Sequence, residues 1–432
     1  VANVETLGTL ERRVSMALAA DEIERKVDER LKQLARNARM PGFRPGKVPL
    51  KLIAQTYGPQ VRSEVLSDAV QKSFTDAVKQ ANLKVAGYPK IEKKDPNSAE
   101  LEFNATFEIY PEVKIGDLGG ATIERPQVEV DDAALDKTIE ILRKQRTRFD
   151  PAERGARDGD RITVDFKGTI DGQAFAGGEA TDFTFALGEG RMLPEFEAAA
   201  RGMAAGEQTS FELTFPAAYH GKEVAGKRAS FVMTLKKIEE PRVPEVDANF
   251  ARALGVADGD TTRMRAEVRA NVEREVKKRI EAKVKDQALQ ALLAATPLEV
   301  PKSLVGMEAA SMAERAVADL KGRGVNPEQV PINPQAFEAA ARRRVALGLV
   351  IAELARAENL QPKPAEVRAL VEQEAQSYES PAEVVKWFYM QPQRLSEMEA
   401  LALETNVVRW VLTKAKVSDK RVSFDELMQT QT

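Results

Sequence analysis

Side chains able to do covalent chemistry are scarce in this chain. It holds no cysteine and a single histidine, His220. That removes thiolate nucleophiles, disulfides, Cys/His zinc sites and the histidine pair of H-E-x-x-H metal chemistry, and it leaves serine-histidine catalysis without support. Phosphate loops fail on spacing. Gly42, Gly46 and Lys47 suggest a Walker loop, but three residues separate the glycines and Val48 stands where Ser or Thr is needed. Gly188 and Gly190 open a G-x-G whose third glycine position is Leu193, so no dinucleotide fingerprint follows. No nucleotide, metal or other cofactor is expected.

Two constellations remain. Residues 151–240 hold eight of the 17 phenylalanines (Phe166, Phe175, Phe183, Phe185, Phe196, Phe211, Phe215 and Phe231), enough rings for a dry apolar pocket or simply for the core of a small β domain. The second is the octet Gly42-Phe43-Arg44-Pro45-Gly46-Lys47-Val48-Pro49. Prolines 41, 45 and 49 stop helical continuation and the glycines permit a tight path, so Phe43 and Arg44 should project from between two helices. From Arg30 to Arg62 there are eight basic residues and no Asp or Glu, in a chain whose net charge is -3. Such a stripe suits docking on RNA phosphates or an acidic protein; the bland reading is a solvated turn.

The elements that must carry these residues follow from composition and period. A length of 432 residues at about 150 per domain suggests roughly three domains. Val14, Met16 and Leu18 alternate with polar residues, as do Leu101, Phe103, Phe107 and Ile109 around Ala105, which is the period of half-buried strands. Asp21 stands as an N-cap before Ile23, Val27, Leu31 and Leu34, a helix to about Arg39; a second helix is expected over Gln60 to Gln80. Asp131 caps a helix bearing Leu135, Ile139 and Leu142. Residues 151–240 hold twelve of the 26 glycines and read as strands and turns. Beyond Pro241 the pattern is helical, with helices expected over 301–321, 334–357, 364–376 and 393–414, separated by prolines. No signal peptide is evident at the start, and the longest apolar stretch, Val345 to Ala352, falls far short of the roughly 18 residues of a membrane span. The expected compartment is the cytoplasm, with no membrane partner.

The octet resembles the ribosome-binding signature of the trigger factor family, bacterial chaperones at the polypeptide exit tunnel, and the domain order matches that family over nearly the whole chain. Val164-Asp165-Phe166-Lys167-Gly168-Thr169, Phe183-Thr184-Phe185-Ala186-Leu187-Gly188, Leu193-Pro194-Glu195-Phe196-Glu197 and Ala229 to Leu235 resemble the FKBP-type prolyl isomerases. The resemblance implies a multidomain α+β protein: a ribosome-binding α+β domain at 1–112, a connector with one helix at 113–150, an FKBP-like β domain with a short helix at 151–240, and an all-helical chaperone domain at 241–432.

It further implies ribosome binding by Gly42, Phe43, Arg44, Pro45, Gly46 and Lys47, on the large subunit near the tunnel exit, with Pro45 where some members carry Lys. The proline pocket it implies is Phe166, Phe175, Phe185, Met192, Leu193, Phe196, Tyr219 and Phe231, with Phe196 as floor and Phe211 and Phe215 as core. Many members have Asp where this chain has Ala176. Nascent and unfolded polypeptides are the implied clients, met by apolar helical residues such as Met307, Met312, Leu349, Trp387 and Met390. A homodimer of the free protein stays open, and the alternative is a free prolyl isomerase whose flanking domains only recruit substrates.

Overall fold

A computed structural model describes residues 3–37, 41, 43, 48–95, 100–219, 221, 223–325, 332–376, 378 and 380–428. The chain forms two compact units, residues 1–125 with 282–420, and residues 126–281 with 421–432.

In the first unit, β1 (Asn3–Thr6), β2 (Glu11–Leu18), β3 (Val85–Lys93) and β4 (Leu101–Ile109) make an antiparallel sheet in the order β1-β2-β4-β3. Helices α1 (Ala20–Asn37) and α2 (Leu50–Gln80) separate β2 from β3. The alternation puts Val14, Met16, Ala105 and Phe107 inward against Val70 and Phe74 of α2. Two expectations change. Helix α1 starts at Ala20, and the Ala19 carbonyl accepts from the N–H groups of Glu22 and Ile23, so Asp21 sits in the first turn, where its charge still favours the helix dipole. Helix α2 begins at Leu50 and runs through Pro59. A proline there forfeits a backbone bond, but Ile53 before it and Val61 and Val65 after it are buried with Ile23, Val27 and Leu31 of α1, and that burial holds the turn in place.

The chain continues through β5 (Thr122–Gln127), α3 (Asp132–Gln145) and β6 (Arg148–Pro151) into β7 (Arg161–Ile170), β8 (Gln173–Ala186), α4 (Pro194–Ala200), β9 (Gln208–Thr214) and β10 (Arg228–Arg242). Asp131 caps α3 by accepting from the Ala134 N–H at 2.8 Å. The sheet order is β6-β10-β7-β8, with β9 on the other part of β10. Entry and exit strands are zipped together, Arg148 to Pro151 opposite Arg242 to Glu239.

Two buried carboxylates lock this base. Asp160 accepts from both terminal guanidinium nitrogens of Arg154 (2.6 and 2.9 Å) and from the Arg157 N–H (2.8 Å). Glu239 accepts from Arg161 at 2.8 Å and Lys237 at 2.7 Å, and Arg161 also lies 4.3 Å over the Phe149 ring of β6. Arg161 and then Lys237 hold the Glu239 carboxyl down to about 2; burial pushes Asp160 up, but the Arg154 and Arg157 bonds outweigh it and hold it low. A carboxylate depressed by folding stabilises fully above its unfolded pKa and loses that contribution as pH falls towards the folded one. Calorimetry of the full chain should therefore show this sheet's transition dropping between pH of about 4.5 and about 2. With Arg161 and Lys237 partly in solvent, the Glu239 share is on the order of 2 kcal/mol. Glu239→Gln should flatten the dependence; an unchanged slope would remove Glu239 from the acid response.

Helices α5 (Ala248–Ala253) and α6 (Thr261–Ala295) follow. Val268, Val272 and Val276 of α6 pack on Leu135 and Ile139 of α3 and on Phe250. Beyond lie α7 (Lys302–Gly322), a short 3-10 turn at Pro334–Phe337, α8 (Glu338–Ala357), α9 (Pro364–Ala375), α10 (Pro381–Met390), α11 (Pro392–Lys414), β11 (Lys416–Arg421) beside β5, and α12 (Phe424–Met428). Prolines stand at the N-cap of α7 and in the first turn of α9, α10 and α11, where a missing N–H costs nothing. Helix α10 was not expected from the sequence; its three consecutive aromatics, Trp387 to Tyr389, bury only Phe388. Glu108 of β4 caps α7, its carboxylate accepting from the N–H groups of Lys302 (3.0 Å) and Ser303 (2.7 Å) and from the Ser303 hydroxyl (2.6 Å).

Candidate active site

On β7 the alternation turns Ile162, Val164 and Phe166 inward. Phe231 comes from the neighbouring β10, Phe183 and Phe185 from β8, and Phe196 from α4, which Pro194 starts directly after Leu193. The rings meet around Phe196. Its centroid lies 5.2 Å from Phe166, 5.3 Å from Phe211, 5.8 Å from Phe231 and 6.1 Å from Phe185, each near edge-to-face, the arrangement that aromatic quadrupoles favour. Phe175 meets Phe231 at 6.1 Å and Phe215 at 5.9 Å, and Tyr219 tilts on Phe215 at 4.9 Å.

Burial sorts these side chains into floor and rim. Phe166, Phe185, Phe196 and Phe231 are buried, whereas Phe175, Met192, Leu193, Phe211 and Tyr219 pack on the same cluster half-buried. All eight residues expected at the proline pocket thus belong to one cluster, with Phe185 as deeply buried as Phe196 and Phe231. Phe211, expected as core, is half-buried and stacked on Phe231 at 5.8 Å; Phe215 is buried. Phe183, absent from the expected lining, is exposed and meets both Phe166 and Phe185 at 5.8 Å. The signal for it was available, since Phe183 lies two residues from Phe185 and so shares its strand face.

Two glycines let the rings lie against the backbone. A Cβ on Gly168 would stand 2.5 Å from the Phe231 ring, and one on Gly178 would stand 2.8 Å from the Phe175 ring. An apolar floor with half-exposed aromatic edges has the shape and chemistry to take a proline ring and draw its amide out of water. Rotation about an X-Pro bond is slow because amide resonance sets a barrier near 20 kcal/mol. A dry site that holds the amide twisted stabilises the less polar transition state, with no acid, base or metal taking part.

Of the basic loop, Gly42, Arg44, Pro45, Gly46 and Lys47 lie outside the described residues. Phe43 is 41% exposed, while Val48 is buried beside Ile53 and ties the loop's end to the helical core. The basic stripe is less bare than its sequence suggests: Arg30 pairs with Glu64 at 3.1 Å and Arg62 with Glu24 at 2.5 Å, acids that come from outside the stripe. In the helical region Met307, Trp387, Met390 and Leu401 are exposed, Met312, Leu347, Leu349 and Trp410 half-buried, and Leu292 and Phe388 buried. Among the described residues no helix is long and apolar enough to cross a membrane.

Known proteins share this organisation. Residues 1–142 match the family model "Bacterial trigger factor protein (TF)", residues 262–413 its C-terminus model, and residues 152–236 "FKBP-type peptidyl-prolyl cis-trans isomerase". The chain is 54% identical over 420 residues to the trigger factor of Azoarcus sp. (strain BH72), covering 97% of this chain and 96% of that one. It is also 54% identical over 425 residues to the trigger factor of Aromatoleum aromaticum, covering 98% of each. On this likeness, and with an isomerase segment whose rings assemble as described, the chain belongs to the trigger factor family and is a chaperone carrying an FKBP-type prolyl isomerase.

Proposed function

We propose that the face formed by Phe166, Phe175, Phe183, Met192, Leu193, Phe196, Tyr219 and Phe231 is where the isomerase takes proline. The observation that carries this is the convergence of rings on the buried Phe196 beneath a half-exposed rim. Phe185 backs the floor. Ala176, adjacent to the rim residue Phe175, is exposed and adds no charge there, so the site works by shape and desolvation.

Rim and core separate in a mutational test. Phe175→Ala, Phe183→Ala and Met192→Ala should each lower kcat/KM on an X-Pro peptide by about tenfold, the worth of one apolar contact, with little change in melting temperature. Phe215→Ala, which empties a buried position, should lower stability by about 3 kcal/mol or more. Rim variants that leave activity intact would move the site elsewhere.

The remaining assignments rest on the family and on exposure. Docking on the large ribosomal subunit, in the cytoplasm, falls to the loop bearing Phe43 and Arg44. Unfolded and nascent segments are taken by the helical region. Its α9, α10 and α11 border an open depression of about 620 Å³ whose lining mixes Pro362, Val367, Tyr389 and Leu403 with Gln361 and Glu399, and a broad, mixed surface suits varied clients held loosely.

A further inference from the structure

Glu197 follows Phe196 on α4 and is buried with it; its side chain is 6% exposed. Placing a carboxylate inside a protein is costly, and a hydrophobe of similar volume is commonly as stable or more so. The charge therefore does something at this position that leucine would not. One carboxylate oxygen, Oε1, accepts from the Gly190 N–H at 3.1 Å. The other, Oε2, stands 3.7 Å from Nη2 of Arg201, whose Nε donates to Asp158 at 2.7 Å.

Gly190 lies in the connection from β8 to α4 that delivers Met192 and Leu193 to the rim. Gly188 and Gly190 have φ of +88° and +70°, so side-chain crowding gives this connection no stiffness. Its start is fixed, with the Gly159 N–H on the Leu187 carbonyl at 2.7 Å and the Leu187 N–H on the Asp160 carbonyl at 2.8 Å. From 188 to 192 the bond to Glu197 is the one hydrogen bond between backbone and side chain among the described residues.

We propose that Glu197 is a positioning residue of the isomerase: its buried carboxylate holds the 188–192 backbone so that Met192 and Leu193 form a fixed edge for the substrate's proline. The inference rests on the rim assignment above. The test compares full-length Glu197→Leu and Glu197→Gln with the unaltered chain, measuring KM and kcat on an X-Pro peptide, melting temperature, and amide exchange at residues 188–193.

The leucine variant should melt no lower than the unaltered chain yet show KM raised about tenfold with kcat less affected, because a loosened contact edge costs binding. Glutamine retains an acceptor oxygen and should bring KM back to within about twofold. The Gly190 amide should exchange more slowly than those of Glu189 and Arg191, and leucine should abolish that difference. Unchanged KM in the leucine variant, equal impairment by leucine and glutamine, or a Gly190 amide as fast as its neighbours in the unaltered chain would each overturn the proposal. The exchange result holds even if the leucine variant does not fold. Phe196→Leu, run alongside, separates the two ideas: full activity there removes the rim assignment itself, whereas loss there with an unaffected Glu197→Leu removes only this inference.

Discussion

Replacing Phe196 with leucine is expected to lower isomerase activity by about 10- to 200-fold, the span that one misfitted apolar contact controls in a binding site, while the sheet stays folded. Leucine keeps most of the volume but removes the ring edges and faces that meet Phe166, Phe185, Phe211 and Phe231. Alanine is a poorer probe. Phe196 is among the largest fully buried side chains, and truncating such a ring costs about 3–5 kcal/mol, a large part of the 5–15 kcal/mol that hold an ordinary domain together. With alanine, lost activity and lost structure would be confounded. Isomerase kinetics and calorimetry on the same leucine preparation decide the matter. Activity near the unaltered level with an unchanged melting temperature would mean that the ring cluster is core and that the proline site lies elsewhere.

The triple replacement of Phe43, Arg44 and Pro45 by alanine is expected to weaken ribosome binding by about a hundredfold or more, the combined worth of two residues of hot-spot type. Isomerase kinetics and melting temperature should not move. Phe43 is 41% exposed and so contributes little to its domain's core, which the loop reaches instead through the buried Val48. Salt should weaken binding by the unaltered chain, because Lys32, Arg36 and Lys51 add screened attraction. The effect should be modest, since Arg30 and Arg62 are already paired with Glu64 and Glu24. Co-sedimentation with ribosomes at two salt concentrations measures both effects. Full binding by the triple variant at moderate salt would place the contact outside this loop.

What could be read in advance divides along physical lines. Motifs of contiguous residues were legible: the Leu-Pro-Glu-Phe-Glu stretch placed Phe196 beneath the rim because a proline start and a short helix fix its direction locally. Helix ends in the last third were legible because prolines mark them. Glu197 was invisible as a buried group, since nothing in its neighbours tells a solvated acid on a seven-residue helix from one turned inward. That Phe183 is exposed beside the buried Phe185 was not legible, because alternation specifies a face without specifying which residue on it reaches the surface. The run of α2 through Pro59 depended on tertiary burial of Ile53 and Val61, which outweighs a local penalty that sequence rules treat as decisive. The grouping of residues 1–125 with 282–420 has no local signature at all.

The cap that Glu108 places on α7 has a consequence for the order in which the molecule can be made. The carboxylate and the N–H of Lys302 that it receives are 194 residues apart, which at about 5–20 residues per second is roughly 10 to 40 s of synthesis. The β6–β10 sheet needs nothing beyond Arg242 and can close while the helices are still unmade. The N-terminal sheet holds its own core but waits, with Glu108 unengaged, until Ser303 has emerged. During that interval Glu108 lacks its donors, and when the start of α7 does emerge its acceptor is already in place, so the helical region of a newly made chain depends on a partner folded long before it.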